Sequence, residues 1–119
     1  MSEAQSVRAR GSVIRDLTAF QQNVLIILSR EAMYGLAIKR ELEDYYGEDV
    51  NHGRLYPNLD DLVDLGLVEK SELDKRTNQY ELTDEGHDAV LERLDWTLSK
   101  FLTDQERVAE VRDLIDDRR

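Results

Sequence analysis

Asn51, His52, Gly53 and Arg54 stand together, with Asn58 one helical turn beyond them. Their chemistry suits nucleic acid. Arg54 can pair with the O6 and N7 acceptors of guanine, and the carboxamide of Asn51 or Asn58 can pair with the edge of adenine. His52 is a further candidate to touch DNA, and Gly53 would let backbone approach a phosphate. Lys75, Arg76, Thr77 and Asn78 form a second polar group, able to reach phosphates or a narrow minor groove. Arg8 and Arg10 make a third, a basic N-terminal arm. Each group alone is also what a helix cap, a surface turn or a chain terminus contains. Their order along the chain gives them a common purpose.

That order is set by the elements between them. Phe20, Val24, Ile27 and Leu28 recur at helical spacing over about Thr18 to Arg30, and Leu25 and Ile26 widen the apolar side. After the break at Met33-Tyr34-Gly35, Ile38, Leu42, Tyr45 and Tyr46 predict a second helix from about Leu36 to Tyr46, closed by Gly47. Leu55, Leu59, Leu62 and Val63 back a third over roughly residues 52–65, capped by Asn51 and stopped by Gly66. Pro57 conflicts with that helix, which must begin late or bend. The period then changes. Residues 67–73 and 79–82 read as two strands around a polar turn, 74–78. Thr83 caps a long helix whose Leu91, Leu94, Leu98 and Phe101 alternate spacings of three and four, a seam suited to a partner helix. His87 extends this seam and Leu102 lies alongside. Thr103 to Glu106 reads as a capping box for a final helix carrying Val108, Val111, Leu114 and Ile115.

Three helices, a hairpin and a long helix are the winged helix-turn-helix plan. The fold class is α+β, mainly α, with a long C-terminal dimerisation helix and a short final helix. The expected divisions are a flexible arm (1–13), a winged DNA-binding domain (14–82) and a helical dimerisation region (83–119). The third helix would enter the major groove, and the 74–78 wing would meet backbone or minor groove. A homodimer would read a pseudo-palindromic operator in double-stranded DNA.

Charge complicates this reading. The chain has 119 residues and a formal net charge of −10, whereas phosphate contacts need positive charge. Either it binds proteins through the same fold without direct DNA contact, or the acid is a surface adaptation to high salt. The acids are spread along the chain, which favours the second. Residues 1–17 carry three arginines against two acids, and residues 80–119 carry six bases against twelve acids. Such a surface can hold hard cations loosely. A dedicated metal site is not expected, because His52 and His87 are far apart without zinc-ligand spacing. The absence of cysteine removes thiol catalysis and disulfides. An oxidant signal would then need Met33, a cofactor or a partner. With no P-loop, nucleophile elbow or dinucleotide motif, an enzyme is not expected, and neither is a cofactor. The start lacks an apolar leader and the longest apolar run is Val24 to Leu28, so a cytoplasmic protein with no membrane association is expected.

The series Leu17-Thr-Ala-Phe-Gln, Tyr34-Gly35-Leu36-Ala37-Ile38, Gly53-Arg54-Leu55-Tyr56-Pro57-Asn58-Leu59, Gly66-Leu67-Val68 and Tyr80-Glu81-Leu82-Thr83-Asp84-Glu85-Gly86 resembles the PadR family. The likeness covers about residues 14–101, and the acidic composition suggests a haloarchaeal member. It implies a homodimeric transcription regulator, usually a repressor, with motif residues at Tyr56, Pro57 and Leu59 and around the wing at Tyr80 and Thr83. Members often take planar ligands between subunits, but no residue here demands one, and any effector stays unidentified. Asp60, Asp61 and Asp64 depart from the pattern and put strong binding at low salt in doubt.

Overall fold

The computed structural model describes residues 16–74, 77–102 and 104–118. The arm with Arg8 and Arg10, and the wing cations Lys75 and Arg76, lie outside the described residues. Helix α1 is Ala19–Leu28. Thr18 and Gln21 close its start reciprocally: Gln21 N donates to Thr18 Oγ1 at 3.1 Å, and Thr18 N donates to Gln21 Oε1 at 3.2 Å. Phe20, Val24, Leu25 and Leu28 are buried, but Ile26 is exposed. At 3.6 residues per turn, Ile26 lies nearly opposite Val24, so it does not widen the core face.

Strand β1, Met33–Tyr34, replaces the expected simple break. It is too short to show a period in sequence. Helix α2, Gly35–Tyr46, buries Ile38 and Leu42 and ends on Gly47 at φ 71°. Tyr45, expected on the inner stripe, is 71% exposed. The helix ends there, and its ring packs edge-on against Tyr46 instead.

Helix α3, His52–Asp64, contains Pro57 without starting late. The proline forgoes a bond to the carbonyl of Gly53, an exposed residue. In return Leu55, Leu59 and Leu62 are fully buried, each contributing about 1.5–3 kcal/mol. Leu67 N reaches Leu62 O at 3.1 Å and Gly66 N reaches Val63 O at 3.0 Å, with Gly66 at φ 79°. This is a Schellman closure.

Strands β2, Val68–Asp74, and β3, Thr77–Leu82, run antiparallel, and β1 pairs on the other side of β3, giving the order β1-β3-β2. The hairpin is longer than expected. Asp74 pairs with Thr77 across a bulge after Glu72, and Asn78 pairs with Glu72. Asp74, Thr77 and Asn78 therefore belong to strands and not to the turn. The cross-strand partner on β2 and the packing of Tyr80 extend the ladder beyond what the polar composition indicates.

Helix α4, Asp84–Phe101, starts at Thr83. The Thr83 hydroxyl donates to Gly66 O at 2.6 Å and accepts from Gly86 N at 3.1 Å. It thus ties this start to the end of α3. Gly86 packs against the carbonyl of Leu67, leaving no room for a Cβ. Ala89 is fully buried and Val90 packs partly against the core, after which the apolar side of α4 leaves it. Helix α5, Gln105–Asp117, is capped by Asp104, whose Oδ1 accepts from Arg107 N at 2.9 Å. The cap lies one residue later than the expected box, and an arginine in the reciprocal position cannot return the bond.

Candidate nucleic-acid interface

Helix α3 hides one stripe and presents the opposite one. With Leu55, Leu59 and Leu62 inward, helical rotation puts Gly53, Pro57, Asp60 and Asp64 outward, and all four are exposed. His52 and Tyr56 take one flank and stack at 5.5 Å between ring centroids. Arg54 and Asn58 take the other. The structure brings all five candidates of this helix end together, but several are already engaged. Asn51 Oδ1 accepts from Arg54 N at 2.8 Å as the cap. Asn58 Nδ2 donates to Arg54 O at 2.7 Å. The Arg54 guanidinium lies 4.1 Å from the centre of the Phe20 ring.

Glu43 sets where α3 begins. Its Oε2 takes hydrogen bonds from Lys39 Nζ at 2.8 Å and from Val50 N at 3.0 Å, joining the end of α2 to the residue before the cap. The Lys39 bond first, then the Val50 bond, holds this carboxyl below its usual pKa.

A cleft of about 570 Å³ opens beside the His52 flank, lined by Tyr34, Gly35, Leu36, Ala37, Arg40, Tyr56, Thr77 and Asn78. It lies at the start of α2, where no side chain caps the helix. The first amides of α2 and the Arg40 guanidinium favour an anion. Thr77 and Asn78 therefore join α3 through this cleft and not through a turn. Tyr34 and Arg40 were not singled out in sequence as candidate contacts, and Tyr56 was named there only as a family motif residue. Their signal was the Tyr34-Gly35 pair: a Cβ on Gly35 would sit 2.8 Å from the Tyr56 hydroxyl, so a larger residue there would make the Tyr56 ring shift. Behind the cleft, burial and then the Asp60 carboxylate raise the pKa of the Tyr80 phenol above its usual 10.

The candidate dimerisation residues are open. Leu91, Leu94, Leu98 and Phe101 are exposed by 60, 48, 40 and 51%, and Leu102 is half-buried. Trp96 is exposed beside them, with Arg93 and Lys100 over its ring at 5.0 and 5.6 Å. No described residue of α5 is buried. Among the described residues no cluster of histidine and acidic side chains could hold a metal, and no helix is long and apolar enough to cross a membrane.

Residues 24–92 match the description "Transcriptional regulator PadR-like family". The chain belongs to the PadR-like family. RosR of Halobacterium salinarum is 70% identical over 87% of this chain and 94% of its own, with a TM-score of 0.79. A RosR complex structure reaches a TM-score of 0.83 at 68% identity, covering 91% of this chain and 94% of the other. The transcriptional activator GvpE2 of the same organism is 34% identical over 80 residues, 67% of this chain. The chain spans only 40% of the length of that relative. Bacillus subtilis PadR, solved with operator DNA, shares the fold at a TM-score of 0.54 and 22% identity over 64% of this chain and 46% of the other. The winged helix and the PadR-like resemblance are thus borne out. This PadR-like chain is a transcription regulator, and its family and relatives are not enzymes.

Proposed function

We propose that this regulator binds double-stranded DNA sequence-specifically, as a homodimer in the cytoplasm. Helix α3 enters the major groove and the 74–78 wing meets backbone or minor groove. The observation that carries this reading is the exposed, capped end of α3 beside the open cleft at the start of α2. Bases lie in front of such a helix and phosphates lie against its flanks. Asn51, His52, Gly53, Arg54 and Asn58 are the α3 contacts, with Thr77 and Asn78 from β3. Lys75, Arg76, Arg8 and Arg10 add charge from outside the described residues.

Residues 14–82 form the DNA-binding unit and 83–119 the dimerisation region, with Leu91, Leu94, Leu98, Phe101 and Leu102 at the contact. Two α3 helices on one side of a two-fold axis suit a pseudo-palindrome with half-sites about one DNA turn apart, or a multiple of it. Loosely held cations reduce repulsion between the acidic surface and DNA. The regulator acts as a repressor where its operator overlaps a promoter.

The test is selection of duplexes from a random pool at high salt, then titration of the selected operator and transcription from a template carrying it. A palindromic selected site, bound tightly and lowering transcription, supports the proposal. Increased transcription would align the chain with the activators it resembles and reject repression. No selected site, together with retained binding to a protein partner, would support the alternative reading, a winged-helix interaction module without direct DNA binding.

A further inference from the structure

We propose that Arg54 is a backbone anchor seated on an aromatic ledge, and not a reader of base edges. The inference rests on α3 being the groove helix. Arg54 is about a quarter-turn from the outward stripe of Gly53, Pro57, Asp60 and Asp64. Its guanidinium turns away from that stripe, toward α1, where its Cζ is 4.1 Å from the Phe20 ring centre and 5.7 Å from that of Tyr46.

The ledge is well fixed. Phe20 is 4% exposed. Its ring and that of Tyr46 are nearly parallel, 12° apart with centroids 6.1 Å apart. Asn23 Nδ2 donates to the Tyr46 hydroxyl at 3.0 Å, and Tyr45 packs edge-on from outside. At the other end of Arg54, Asn51 holds the backbone amide. The whole side chain is therefore directed along one flank.

Groove dimensions decide what that flank meets. The major groove is about 12 Å wide, and a helix with side chains is about 10–12 Å across. A helix seated there offers its outward stripe to the bases and its flanks to the phosphate walls. A guanidinium held over a ring by its Cζ still carries N–H groups in its own plane, able to grip phosphate oxygens as a fork. Arg54 remains exposed, so those groups stay accessible. To read guanine, it would have to leave both rings and turn forward.

The experiment uses the intact chain, the selected operator and an unrelated duplex of equal length, titrated across potassium chloride concentrations. Arg54→Ala is expected to weaken both duplexes by the same factor, on the order of tenfold for one lost charge-assisted contact. Their affinity ratio stays constant, and the slope of log K against log salt moves upward by about 0.9. Tyr46→Leu weakens both duplexes less and adds nothing in the Arg54→Ala background. Loss at the operator alone, or relaxed discrimination at one base pair, would overturn the anchor while leaving DNA binding intact. A parent chain that binds neither duplex would remove the DNA-binding reading and the anchor with it. Arg54→Ala changes an exposed side chain, so the comparison of the two duplexes remains decisive even if Tyr46→Leu fails to fold.

Discussion

Glu43 connects elements that sequence periodicity treats separately. Its carboxylate bonds to Lys39 on its own helix and to Val50 N, immediately before the α3 cap. The lowered pKa gives the sign of its effect. The contribution is present above the ordinary carboxylate pKa, about 4.3. It fades as pH falls through the lower folded value. Glu43→Gln should lower the urea midpoint at neutral pH, and the gap from the parent should close below the folded pKa. Urea titrations at a series of pH values check this. A gap independent of pH would show that the carboxylate charge contributes nothing. Asn51 has a comparable double use, because the oxygen available for a base contact already caps α3. Asn51→Ala would therefore change affinity and helix stability together, and cannot by itself identify a base contact.

The start of α4 belongs mechanically to the winged core. Gly86 lies against the Leu67 carbonyl, and Thr83 bonds to Gly66 O. A methyl group at position 86 meets backbone, which cannot rotate away. Gly86→Ala should therefore destabilise by about 1–3 kcal/mol, the usual range for overpacking. The helix propensity gain of about 1 kcal/mol is smaller than most of that range. Urea unfolding measures the difference, and a more stable variant would mean that α4 can shift without cost. A chain cut at Leu82 would also lose the buried Ala89. Point changes on the outer half of α4 are therefore a cleaner probe of assembly than truncation.

Across the whole molecule, two properties are coupled: an open apolar helix face and excess acid. Leu94→Asp with Leu98→Asp should leave the winged core folded, because both side chains already face water by 48 and 40%. It should dissociate the proposed dimer and reduce operator affinity without touching a DNA contact. Sedimentation and titration at high salt measure the two effects. A monomeric parent at micromolar concentration would exclude the dimer. The charge makes a separate prediction. Ordinary repressors lose affinity steeply with salt as counterions are released. Here Asp60 and Asp64 lie on the outward stripe of α3, with Asp61 also exposed. Added cations screen their repulsion of phosphate, so operator affinity should decline unusually little, or rise, toward molar potassium chloride. A steep monotonic loss across that range would reject screening as the governing effect.

Much of the fold was readable locally. The buried stripe of α3, the caps at Asn51 and Thr83, and the stops at Gly47 and Gly66 follow from side-chain spacing and short-range hydrogen bonding. The motif series also identified the family. The two-residue strand β1 and the full hairpin were hidden, since their pairing joins residues far apart in sequence. So was the cleft where Tyr34 and Arg40 meet Tyr56, Thr77 and Asn78. The direction of Arg54 was equally unreadable. Its position near the start of α3 was evident, but Phe20 and Tyr46 come from two other helices. Local sequence determines how a helix begins, ends and hides one side. Only tertiary packing decides which distant aromatic or carbonyl waits beside it, because that choice depends on contacts between elements and not on the period within one.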